Sequence, residues 1–231
     1  MATAGPQTIV KVQRRTSNSP NFWNKELHLP ARHGMMVVAP PLFTDPLLEL
    51  YYEHFHNSHP CVLPYAFLRH KLVDAAPGRN LLISVMRFIG SLYAPTTPSK
   101  DLDNDVKLAI AQPQPWTHPF EIQGLALYAT ATYWWSDRPR SKQLLDQAAT
   151  KAITIGMNLK QYAAENSGGD HVLAESWRRT WWQVYITDIR INAETNLRTS
   201  QQSSVMTVDL PCEENEYCSG VCRPSRVGQV C

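Results

Sequence analysis

Cysteine is scarce in this chain, five in 231 residues with no C-x-x-C pair. An odd count without close pairs argues against a disulfide framework and for a reducing compartment. Glycine is sparse too, ten in all. No Gly-rich phosphate loop, G-x-S-x-G or H-E-x-x-H occurs, so the usual marks of phosphate-binding, hydrolase and zinc-protease chemistry are missing. No run approaches 18 uninterrupted apolar residues, and the first residues lack the basic flank and apolar core of a secretory leader. No membrane partner is expected. Charge of one sign is also lacking: Lys and Arg number 22 against 20 Asp and Glu, a net charge of +2. That balance carries no polyanion-binding signal. No stretch alternates apolar and polar with a period of two, which leaves no basis for a sheet. Nor is there an internal period of about 34 or 40 residues, which weighs against a helical repeat scaffold.

What is present is enough apolar material for one good-sized domain, 43% of the residues. Residues 1–43 carry Lys11, Arg14, Arg15, Lys25 and Arg32 against Glu26 alone, with prolines throughout and no sustained periodicity. They are predicted to be a flexible basic linker. Residues 44–211 are predicted to be an all-α domain of antiparallel helices. Thr44-Asp45-Pro46 offers an N-cap and a proline at the first helical position. Leu81, Leu82, Val85, Ile89 and Leu92 share a helical face after the Pro77-Gly78 turn, and Phe120 to Trp135 gives another, with Trp134 and Trp135 closing it. Ser141 is expected to cap the next helix, and Ser167-Gly-Gly-Asp170 to turn the chain into the one that follows. Residues 212–231 hold Cys212, Cys218, Cys222 and Cys231 without periodicity and are expected to be an irregular tail.

The helix around which the domain is expected to assemble runs from Glu175 to Asn192. Trp177, Trp181, Val184, Tyr185, Ile189 and Ile191 form one apolar stripe, and Trp182, Ile186 and Ala193 a second beside it. Arg179, Gln183, Thr187, Arg190 and Glu194 form a single polar stripe predicted to face water. Two charges, Arg178 and Asp188, interrupt the apolar face. Buried and unpaired they would cost several kcal/mol, so partners are expected, from neighbouring helices more than from each other, since ten positions at about 1.5 Å each separate them.

Three clusters invite site chemistry. His54, His56 and His59 suggest a metal, but on a helix positions i and i+2 diverge. Asp101-Leu-Asp-Asn-Asp105 suggests the magnesium clusters of helical isoprenoid enzymes, yet acids opening a helix also suit its dipole. The four late cysteines suggest zinc, but their spacings lack a tight chelating pair.

Glu-x-x-Arg-Arg-x-Trp-Trp-x-x-Tyr-x-x-Asp, as Glu175, Arg178, Arg179, Trp181, Trp182, Tyr185 and Asp188, resembles the signature of the fungal-specific transcription factor regulatory domain, the middle homology region. Asp209-Leu-Pro211, His59-Pro60 with Leu63-Pro64 and Phe67, and the Ala-rich stretch Ala148 to Leu159 extend the resemblance from about residue 42 to about residue 217. It implies an all-α regulatory domain acting in the nucleus. It also implies DNA binding through a separate six-cysteine binuclear zinc cluster. Only Cys61 precedes the tail, so zinc and DNA contact are carried over onto no residue, and neither catalytic nor cofactor-binding residues are assigned. The chain is expected to be a fragment or a cluster-less relative, with a truncated C-terminus. The family's Gly-Arg-Pro appears here as Asn196-Leu-Arg198. Other transcription-factor segments, regulatory proteins, a small-molecule effector or a second copy are the implied partners. A protein-interaction scaffold and an isoprenoid-type enzyme stand as alternatives.

Overall fold

Gly90 and Gly124 set how closely the helices of this protein approach. A computed structural model describes residues 45–71, 78–112, 117–135, 137–195 and 205–222, apart from the side chains of 69–71 and 195. The basic linker at 1–43, the Asn196-Leu-Arg198 turn and Cys231 lie outside the described residues. Those described form α-helices and no strand: α1 (Pro46–His54), α2 (Tyr65–Lys71), α3 (Arg79–Ser91), α4 (Ser99–Ala111), α5 (Pro119–Trp134), α6 (Arg138–Thr154), α7 (Tyr162–Glu165), α8 (His171–Thr195) and α9 (Glu214–Ser219). The all-α class read from periodicity holds.

Asp45 starts α1 as expected, its carboxylate accepting the Leu47 N–H at 3.0 Å with Pro46 at the first position. Asp170 starts α8 in the same way, accepting from Val172 and Leu173 at 3.0 and 3.1 Å, after Gly168 and Gly169 turn the chain at positive φ. Ser141 departs from expectation. Asp137 caps α6 instead, accepting from the Arg140 N–H at 3.0 Å, while the buried Ser141 hydroxyl donates to the Ala129 carbonyl of α5 at 2.6 Å. A serine inside the first turns ties two helices together where its hydroxyl reaches a foreign carbonyl.

α5 packs on α3, α6 and α8, and α3 also carries α1 and α4. Every residue of α5 from Pro119 to Tyr133 is buried. A helix apolar or small on all sides belongs in a core, and α5 is the more completely enclosed of two axes, the other being α8. α8 is buried all round only from Ala174 to Trp181, where Trp177 and Trp181 lie. Ile186 of its second apolar stripe and Ile189 of its first are 50% and 42% exposed, and Ala193 of the second is exposed. Among the described residues no further layer covers that face.

Candidate functional site

The side chains of the Glu-x-x-Arg-Arg motif converge in the interior. Glu175 is fully buried. Its Oε2 accepts from Arg178 Nε at 2.8 Å, and its Oε1 from Arg179 Nε at 2.9 Å and from the Cys212 N–H at 2.9 Å. Arg178 therefore finds its partner one turn back on its own helix, where a neighbouring helix was expected. Arg179 departs further from expectation: placed on the outward stripe by periodicity, it is buried. Its guanidinium donates to the carbonyls of Pro60 at 3.2 Å and Cys212 at 2.8 Å, pairs with Glu214, and lies 4.1 Å from the centre of the Tyr217 ring. Burial alone would lower its pKa, but Glu214 and Glu175 outweigh that and hold it charged.

These contacts fasten a returning segment. Val205 to Val208 lies along the turn after α6: Asn158 Nδ2 donates to the Val205 carbonyl at 2.7 Å, and the Val208 N–H donates to the Asn158 carbonyl at 3.1 Å. Asp209 then takes Lys160 at 3.0 Å on its carboxylate and the Trp182 indole N–H at 3.0 Å on its carbonyl. Half-buried Pro211 leads into Cys212 and α9, where buried Tyr217 donates to the Val62 carbonyl at 3.1 Å. Residues 212–222 are thus not an irregular tail. α9 was missed because six residues are too few to show a period, and because its anchor is an arginine 35 positions away. Cys212 and Cys222 are buried and Cys218 exposed. Burial, with Glu175 nearby, pushes the Cys212 thiol up to about 12.

The remaining motif residues divide between core and surface. Trp181 is fully buried and lies 6.3 Å from Tyr185, which is half-buried and edge-on to Trp182 at 5.7 Å. Asp188 accepts from Asn192 at 2.7 Å and faces Lys142 of α6 at 3.8 Å, the cross-helix partner expected for it. A polar network absent from the sequence reading lies beneath: the Gln123 amide nitrogen of α5 lies 3.0 Å from the Cys61 carbonyl oxygen, 2.8 Å from the Ser176 hydroxyl and 2.7 Å from the Thr180 hydroxyl. Its residues come from three separate stretches, so only the fold brings them together.

The histidines and Asp103 of the clusters that suggested metals are engaged in ring packing and ion pairing. His56 packs in the interior 4.7 Å from Tyr52, His54 stacks on Tyr93 at 4.9 Å, and His59 lies 4.6 Å from Phe55. Asp103 accepts from the Tyr128 hydroxyl at 2.5 Å and pairs with Lys107 at 2.5 Å, so it braces α4 on α5.

A surface groove of about 480 Å³ opens between the ends of α1 and α5, the turn after α3, and α8. His54, Tyr93, Trp134, Trp135 and Arg190 line it, with His59 beneath. Trp134 and Trp135, expected to close a buried face, are 58% and 50% exposed. They follow the last buried turn of α5, where a wheel drawn from sequence alone continues inward. Arg190 lies 5.7 Å from the Trp134 ring centre.

Residues 48–220 match the model of the fungal specific transcription factor domain. Over 189 residues, 79% of this chain, it is 30% identical to the C6 finger domain transcription factor iacK of Pestalotiopsis fici. The chain spans 27% of that relative's length. No solved structure matches.

Proposed function

We propose, since the chain belongs to the fungal specific transcription factor domain family, that its part in transcription is to hold a regulatory body together through the Glu175, Arg178 and Arg179 clamp. The chain is a regulatory domain of a fungal transcription factor. The observation that supports the role given to the clamp is its composition: the motif's charges are spent on the protein's own backbone and on Glu214, with none left for a substrate or a base. Specific DNA contact falls to a six-cysteine zinc module of the kind named in the relative, and to no residue of this chain. The place of action is the nucleus, and the partners are other segments of the same factor, regulatory proteins, a second copy or a small-molecule effector.

Fusing the chain to an unrelated DNA-binding module in a fungal host, with a reporter behind that module's site, tests this reading. Reporter output should change at least severalfold, in either direction, against the module alone, and Arg179→Gln should return it to the module's level. Output equal to the module alone would sink the proposal. Free of the module, the chain should select no duplex sequence in a gel-shift titration at about 150 mM salt, a condition that suppresses non-specific phosphate attraction.

A further inference from the structure

The groove at the ends of α1 and α5 combines features that folding does not require. Trp134 and Trp135 end α5 at least half in water, forfeiting much of what burying an indole contributes. Ile186 and Ile189 lie on the exposed face of α8 that also carries Arg190, so a cation sits within an apolar surface. Among the described residues no carboxylate lies within ion-pair distance of Arg190; it lies over the Trp134 ring, and its charge reaches His59. Glu194, one turn further along α8, is occupied by the Tyr133 hydroxyl and by Arg138 at 4.0 Å. His59 Nδ1 lies 3.1 Å from the Gln183 amide nitrogen. With that amide donating, the neutral ring carries its proton on Nε2. Among the described residues no side chain lining the groove is acidic.

We propose that this groove binds a planar aromatic carboxylate, with the ring system against Trp134, Trp135 and the stacked His54 and Tyr93 pair, and the carboxylate on Arg190. The proposal rests on the regulatory reading and gives the effector named there its chemical class. Flat polarisable walls favour stacking ligands, and an unpaired guanidinium offers two parallel donors matched to a carboxylate. α1 and α5 both end here, and helix C-termini favour cations over a carboxylate. Terminal partial charges fade within a turn, whereas Arg190 is a full charge at the wall.

The test is calorimetric titration of the full chain with 2-naphthoate, neutral 2-naphthalenemethanol and cationic 2-naphthylmethylammonium. Naphthoate should bind about tenfold more tightly than the alcohol. Arg190→Gln should erase that margin and leave the alcohol's affinity unchanged, while Trp134→Ala should weaken both. Both side chains are exposed, and an unchanged thermal melt verifies that the variants fold. No saturable binding up to about 5 mM, affinity unaffected by Arg190→Gln, or preference for the ammonium each overturns the proposal. The reporter fusion needs no added ligand, so a chain that regulates but takes up no naphthoate refutes this inference alone.

Discussion

Glu175 and Trp181 stand less than two turns apart on α8 and stabilise it by opposite physics. The indole of Trp181 is fully buried, so Trp181→Ala removes a large apolar volume from a packed core. That should cost about 3–5 kcal/mol, read as a lower midpoint in a denaturant melt followed by circular dichroism; an unchanged midpoint would mean the indole is in water. Glu175 contributes through what its absence leaves behind. Glu175→Gln removes the charge between two buried arginines and replaces an acceptor with a donor. Breaking one partner out of a buried ion network costs about 3–5 kcal/mol. The same melt should show it, together with faster amide exchange at Cys212, whose N–H donates to that carboxylate. Loss of stability without loosening at Cys212 would argue against the clamp.

The contact of α1 with α3 is decided by one missing side chain. A Cβ built on Gly90 would lie 1.9 Å from the Leu47 carbonyl oxygen, well inside van der Waals contact and against backbone that has no rotamer to escape into. Alanine is the better helix former by about 1 kcal/mol, yet Gly90→Ala should be destabilising by about 1–3 kcal/mol or more, since overpacking outweighs propensity when two helices must separate. Equilibrium denaturation decides between the signs. A stabilised variant would show that α1 does not cross α3 at this glycine. Gly124 plays a milder part, facing Leu81 at 3.1 Å, where α5 meets α3.

Across the whole domain, buried His56 and half-buried His59 and His118 link stability to pH. Burial, helped by Arg179, lowers the pKa of His56 to about 3, and burial also lowers those of His59 and His118. In an unfolded chain a histidine titrates near 6.5, so between about 3 and 6.5 the unfolded state binds a proton at His56 that the folded state refuses, and His59 and His118 act in the same direction below 6.5. Stability from these groups is therefore complete above pH 6.5 and falls as pH drops below it. Each fully depressed histidine contributes a loss of about 1.4 kcal/mol per pH unit. Urea melts at pH 7 and pH 5 should show the domain less stable at the lower pH, and His56→Gln should shrink the difference. An unaltered difference in the variant would mean that His56 takes up its proton inside the fold.

The all-α class, the caps at Asp45 and Asp170, and the buried Trp177 and Trp181 were legible because each depends on neighbours within a few turns. Period, cap and core face are local properties of the chain. The signature motif was legible as a pattern, but the destination of its charges was not. A helical wheel assigns Arg179 to water because it knows only residues of the same helix. The fold places the Pro60 and Cys212 carbonyls, Glu214 and Tyr217 around that guanidinium, from chain positions more than 30 residues away on either side. The same blindness reversed Ile186, Ile189, Trp134 and Trp135, whose stripes run on past the point where the described residues supply a partner. Local sequence sets which faces are apolar; which of those faces is covered, and which charge is enclosed, depends on contacts between segments that only the folded chain brings together.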